Sequence, residues 1–257
     1  LVILAATGAA HFLAITAAFY WRFLRGGALA GPIPWEAVRE VLLYARYLVL
    51  RGFVYFFFLR VNVILVRSLA GETQAGYFAL AERFFLAPML VIGGFVNALA
   101  PCVTERRRLG DQAAVQRLIE RSYGILLLLM APFVVIFLGS SPIVRWLFPA
   151  YIPAIPALWA LAPALVFKAL GGLSNSALLI QGGFERAAFW TTLLSAVLNV
   201  TGLWLFAGRW GAVGAACSTM LAHSLSAVLV LWLAHRNCKV RFAIRLPWPL
   251  ERGATGL

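Results

Sequence analysis

The residues of this 257-residue chain best placed to do chemistry are charges set where charge is expensive. Lys168 lies near the middle of an apolar run, with Asn175 seven residues on and Ser174 and Ser176 beside it. Arg46, Arg51 and Arg60, with Asn62, interrupt a second apolar run, and Glu82 and Arg83 follow just past a short polar turn. An ion moved into hydrocarbon loses its hydration, so charges kept there face a bundle interior or a water-filled path. A lysine at mid-membrane therefore needs an anion, a water-filled cavity or a lowered pKa. At about 100° per residue, Arg46 and Arg60 fall about 40° apart on a helix, and Arg51 and Asn62 about 20° apart on another face. That helix borders a cavity on one side and a neighbour on the other. Arg46 and Arg60 lie toward opposite edges and can snorkel to headgroups. Arg51 and Lys168 are deeper. Arg60 is also placed to pair with Glu82 across the turn.

Other chemistry is poorly supported. Cys102, Cys217 and Cys238 form no closely spaced pair, and His11, His223 and His235 are far apart, so no zinc site, disulfide framework or cofactor is expected. The three histidines read as packed or interfacial side chains. There is no phosphate-cradling loop, nucleophile triad or carboxylate pair. Of the acidic residues only Glu82 falls inside an apolar run, which argues against an acidic proton relay.

The elements that must hold these residues follow from composition. The chain is 63% hydrophobic and 12% charged, with mean hydropathy +0.89. A soluble domain carries about 25% charged residues. This one cannot clothe a water-facing surface, so it is a polytopic membrane protein. The apolar runs are about twenty residues long and do not alternate, which predicts an all-α transmembrane bundle rather than a barrel. Seven spans are expected, at about residues 1–21, 42–66, 77–101, 123–139, 157–179, 187–206 and 211–234. Trp35 to Glu40 is expected as a short entry helix, Gly71 to Gly76 as a turn, and Thr104 to Ser122 as a separate polar helix lying at the headgroups. Pro163 kinks or delays the fifth span. Gly214, Ser218, Ala222 and Ser226, at four-residue spacing, form a packing seam, and Asn199 is expected to hydrogen-bond between helices. The chain opens inside a span without a signal peptide and reads as a fragment.

The net charge of +13 would suggest nucleic acid in a soluble protein. Here the positive-inside rule accounts for it, and no nucleic-acid partner is expected. Arg22, Arg25, Arg39, Arg106, Arg107, Arg108, Arg117, Arg121, Arg186 and the basic tail fall in one set of alternate loops; Arg67, Arg145 and Arg209 stand alone in the other. The rich set is placed in the cytoplasm, together with the C-terminus.

Several stretches carry a family pattern in their order. They are LRVNVILVRSLAGETQAGYFALAERF, the basic linker with GDQAAVQRLIERS, IVRWLFPAYIPAIPALWALAPAL, and ALLIQGGFERAAFWTTLLSAVLNVTGLWLFAGRWGAVGAACSTMLAH. The chain resembles polysaccharide-biosynthesis flippases, the O-antigen or oligosaccharide exporters of the multidrug/oligosaccharidyl-lipid/polysaccharide superfamily. The resemblance implies two six-helix lobes about a cavity of alternating access. Residues 1–25 would end a truncated first lobe, 26–40 connect the lobes, 41–235 form the second lobe, and 236–257 form a basic cytoplasmic tail. It implies a transporter rather than an enzyme, in a cell inner membrane, moving an undecaprenyl-diphosphate type of lipid-linked oligosaccharide. The partners implied are membrane lipids, the missing N-terminal lobe and polysaccharide-assembly enzymes. By the same likeness, Arg51 and Lys168, and more weakly Arg46, Arg60 and Arg83, hold the diphosphate; Asn62 and Asn175 complete the expected substrate site. Asn62 stands where many relatives carry an acid. The rival expectations are a drug or metabolite exporter of the same superfamily, an integral-membrane polymerase or ligase, and a non-transporting scaffold.

Overall fold

Within hydrocarbon a backbone has few ways to pair its N–H and C=O groups, and the helix is the local one. In the computed structural model, which describes residues 35–238, every described element is helical. In chain order these are α1 (Trp35–Ala70), α2 (Glu72–Arg108), α3 (Gln112–Leu138), α4 (Ser140–Leu147), a 3-10 segment (Pro149–Ala154), α5 (Ile155–Leu173), a π-helical segment (Ser174–Ile180) and α6 (Glu185–Cys238). The expected first span, the loop to residue 34 and most of the basic tail lie outside the described residues. The chain divides into two units, Leu1–Arg46 and Tyr47–Leu257. The first contributes only the opening turns of α1 to the described part, where Arg46 is exposed. The second holds the rest of α1 and every later helix.

Among the described residues, five helical stretches are long and apolar enough to cross a membrane: Ala45–Ala70, Glu72–Arg108, Gln112–Leu138, Pro149–Ala177 and Glu185–Cys238. The chain is thus a multi-pass membrane protein. The last stretch, 54 residues long, doubles back at Gly211. Gly211 has φ +56° and ψ −133°, a conformation that L side chains avoid. The Gln74 Oε1 accepts from the Ala212 N–H at 3.0 Å and pins that turn. The limbs, residues 185–210 and 212–238, then run back along each other. Ser218 Oγ donates to the Asn199 carbonyl at 2.8 Å, and Ser195 Oγ to the Ala222 carbonyl at 3.4 Å. A Cβ on Gly202 would strike Ser218, so the limbs touch nearly backbone to backbone. The predicted small-residue stripe lies in this seam.

Several boundaries differ from expectation. The polar stretch from Thr104 to Ser122 is not a separate helix. It is the last turn of α2 and the first turns of α3, joined at Leu109–Asp111. Gly110 takes φ +74° there, and the Asp111 carboxylate caps α3 by accepting from the Ala114 N–H at 2.8 Å. Val115 and Ile119 are fully buried, so this stretch is part of the bundle and does not only lie on headgroups. The turn expected over Gly71 to Gly76 is Gly71 alone. Trp35 to Glu40 is the start of α1 rather than a separate helix. Span five starts at Ile155, with Pro156 in its first turn, where a missing N–H costs nothing, and Pro163 lies inside it.

Two apolar cores fill the bundle. One gathers Val66, Phe78, Phe85, Phe137, Leu158, Leu161, Leu165 and Leu203. The other gathers Ile92, Val96, Val115, Ile119, Leu126, Met130, Leu173 and Val230. Each long helix from α2 onward passes from one core to the other. The polar groups sit where it crosses between them: on α5, Lys168 lies between Leu165 of the first core and Leu173 of the second. On the second limb of α6, His223 lies between Ala216 and Val230.

Candidate functional site

The crossing zone holds a half-open cleft of about 80 Å³. α1 supplies Arg51, Tyr55 and Phe58; α5 supplies Lys168 and the π segment Asn175; the limbs of α6 supply Thr192, Ser195, His223 and Ser226. α1 presents Arg51 and Tyr55 together because they are four residues apart on a helix. Arg51 Nε donates to Thr192 Oγ1 at 3.2 Å, and Thr192 Oγ1 donates in turn to the Ala188 carbonyl at 2.9 Å. The remaining guanidinium N–H groups make no hydrogen bond to the described residues. Lys168 Nζ lies over the Tyr55 ring, 5.1 Å from its centroid, and no carboxylate pairs with it among the described residues. Arg51 and Lys168 thus place two positive charges in one cleft inside an apolar bundle.

An adjoining cleft shares Tyr55, Phe58, Lys168 and His223 and adds Asn62, Phe78, Glu82 and Phe85. His223, 6% exposed, stacks on Phe85 with centroids 5.9 Å apart and planes 3° from parallel. Asn62 is 1% exposed, and its Oδ1 accepts from Asn199 Nδ2 at 2.7 Å. Glu82 lines the same cleft. The series Asn62, Asn199 and Ser218 ties α1 to both limbs of α6. A third opening, toward α2, is lined by Arg51, Lys168, Ser176 and Asn97.

The seven residues expected at a substrate site thus separate by place. Arg51, Lys168 and Asn175 line one cleft. Asn62 is buried in the neighbouring one and is engaged in packing hydrogen bonds. Arg60 and Arg83 are exposed beside Glu82 in a groove between α1 and α2. Arg60 stacks over Phe56 at 5.7 Å and makes no salt bridge with Glu82. The ion pair across the turn is Arg67 with Glu72. Arg46 belongs to the other unit. Sequence reasoning missed His223, Tyr55 and Thr192. His223 gave one signal: it follows Ala222 of the small-residue stripe, next to the seam.

The described residues thus form a membrane-type helical bundle with a cationic cleft at mid-height. A family model described as "Polysaccharide biosynthesis protein" matches residues 8–150, more than half of the chain. The chain belongs to that family. It is 30% identical over 211 residues, 73% of its length and 43% of the relative's, to the probable multidrug resistance protein NorM of Rhizobium meliloti (strain 1021). It is similar to a multidrug resistance MATE family transporter of the MOP superfamily in the outward-facing conformation, with TM-score 0.67 and 17% identity over 79% of this chain and 46% of that one. It is also similar to the lipid II flippase MurJ in an inward closed conformation, with TM-score 0.55 and 17% identity over 68% of this chain and 40% of that one. The fold is that of the MOP superfamily. The chain spans less than half the length of these relatives.

Proposed function

We propose that the protein moves a lipid-linked oligosaccharide across a cell's cytoplasmic membrane, and that this chain supplies the lobe that grips the diphosphate. One observation carries the reading: Lys168 and Arg51 share a polar cleft between two apolar cores without a carboxylate partner. A diphosphate would neutralise both charges, while its lipid tail stays in the bilayer. No bond is made or broken, so the activity is transport by alternating access between two lobes. Residues 41–235 form one lobe, and the basic loops and tail face the cytoplasm. The family description and the MurJ likeness favour a polysaccharide precursor.

The test is Arg51→Ala/Lys168→Ala in the full-length protein, returned to cells lacking it. The double variant should abolish surface polysaccharide at wild-type protein level. Normal polysaccharide from a stably expressed double variant overturns the site.

A second reading is favoured by the adjoining cleft, where Glu82 stands among Tyr55, Phe78 and Phe85. A carboxylate among aromatic rings suits a lipophilic cation, and the NorM relative carries the name of a drug exporter. On this reading Glu82→Gln sensitises cells to ethidium, and Arg51→Ala/Lys168→Ala does not.

A further inference from the structure

Three connecting segments meet at one end of the bundle. Gln74, in the first turn of α2, holds the α6 hairpin tip through the Ala212 N–H at 3.0 Å. Tyr77, one turn on, meets Tyr151 of the 3-10 segment edge-on, with ring centroids 6.0 Å apart. The α1–α2 turn, the α6 tip and the link between α3 and α5 therefore share that end. The link differs from the other two in carrying nine consecutive exposed residues, 145–153. α4 explains how it is mounted. Ser140 and Val144, four residues apart, are fully buried and turn one face of α4 to the bundle. Trp146 lies about 200° round the helix from Val144 and is 83% exposed. Leu147, Phe148, Tyr151 and Ile152 continue the exposed apolar surface into the 3-10 segment. Arg145 is exposed beside Trp146 and makes no hydrogen bond or ion pair with the described residues. The α6 tip repeats the pairing, with Arg209 and Trp210 both exposed.

A contiguous exposed apolar patch marks an interaction surface, and its flanks decide what covers this one. The spanning stretch Gln112–Leu138 ends just before α4, and the spanning stretch Pro149–Ala177 begins just after it. A segment strung between the ends of two spans lies where headgroups meet acyl chains. Tryptophan and tyrosine concentrate there, because each has an apolar body and a polar edge. An arginine beside them offers its N–H groups to a phosphate oxygen. We propose that α4 and the 3-10 segment form a phospholipid-binding anchor in the membrane interface. Trp146, Leu147 and Phe148 sink toward the acyl chains, and Arg145 donates to a lipid phosphate. The ligand class is the phosphodiester headgroup of the surrounding bilayer. The anchor is independent of the mid-bundle cleft, since Lys168 stands thirteen residues from Ile155, about 20 Å along α5. Through Tyr151 against Tyr77, it sets the depth of the α2 start, and through Gln74 that of the α6 tip.

The experiment places the full-length protein, its own cysteines replaced, in nanodiscs of phosphatidylcholine. Trp146→Cys carries the polarity-sensitive fluorophore NBD, at a position whose exposure leaves the buried face of α4 intact. The discs contain lipid spin-labelled at either the headgroup end or the tail end of the acyl chain. Emission should be blue-shifted from its value in water, quenched more by the headgroup-end label, and quenched weakly by iodide in the buffer. Adding Arg145→Gln should raise the iodide quenching, because the phosphate contact no longer holds the segment down. In discs of digalactosyldiacylglycerol, a lipid without phosphate, Arg145→Gln should make no difference. Strong iodide quenching with neither lipid label effective puts the segment in water and overturns the proposal. A blue-shifted probe that neither lipid label nor iodide reaches puts it under another protein surface and overturns it too. So does stronger quenching by the tail-end label, which buries the segment below the interface. An Arg145→Gln effect that is absent in phosphatidylcholine, or equal in both lipids, overturns the phosphate contact.

Discussion

At the scale of single residues, the cleft is assembled from groups that the bundle would be more stable without. A lysine at the centre of a membrane span costs about 3 kcal/mol, and a cation resting on a tyrosine ring recovers about 1 kcal/mol. Lys168→Met should therefore raise the melting temperature of the full-length protein while diphosphate binding disappears. A lowered melting temperature would mean that Lys168 has a structural partner. Asn199 has the opposite role. Its side chain donates to Asn62, and its main-chain carbonyl accepts from Ser218. Asn199→Ala should cost about 2 kcal/mol, because it strands the buried Asn62 Oδ1. Asn62→Ala/Asn199→Ala should cost less than the two single variants summed, since the stranded pair is removed together. Chemical denaturation of the four proteins measures the difference. Lys168 and Arg51 were legible in the sequence because charge inside an apolar run has a known cost. His223, Tyr55 and Thr192 were not, since residues of these types also pack in ordinary membrane cores. Only the partners across the bundle make them cleft residues. The orientation of the Asn175 amide depends on Thr191, sixteen residues away on another element, and no spacing rule contains it.

At the scale of elements, the long helices were readable from apolar run length, and their ends were not. The charged stretch around Gly110 reads as one polar helix because the residues on both sides are helix formers. The break comes from a positive φ and an Asp cap that occupy three residues between long helices. The Arg60 and Glu82 pairing failed for a related reason. The turn is a single glycine, and the ion pair across it is Arg67 with Glu72. The α6 hairpin depends on Gly211. Gly211→Val should destabilise the protein by about 2 kcal/mol, since a β-branched residue at positive φ is strained, and it would also strike Gln74. Gln74→Ala, which removes one hydrogen bond, should cost about 1 kcal/mol. Thermal unfolding of both variants in detergent checks the order. Equal losses would mean that the latch, and not the backbone conformation, holds the turn.

At the scale of the whole molecule, the excess of arginine follows the alternate turns. The Leu109–Asp111 turn lies beside Arg106, Arg107 and Arg108, whereas the hairpin tip at Gly211 carries Arg209 alone. In a cysteine-free background, Leu109→Cys should resist a membrane-impermeant maleimide in intact cells, and Trp210→Cys should be labelled. The reverse pattern would invert the topology. Among its described side chains α1 buries fully only Phe58, Asn62 and Val66, and turns Phe53, Phe56 and Phe57 away from the bundle. α5 is sealed by Leu158, Leu161, Leu165 and Leu173. The cleft thus has one wall sealed by buried leucines and one wall with few fully buried side chains, held also by the Arg51 hydrogen bond to Thr192. Because regions with few buried contacts open at the lowest free energy, the loosely moored wall yields first, and it carries Arg51 with it. The two cations are thus carried on walls that differ in how much buried surface holds them.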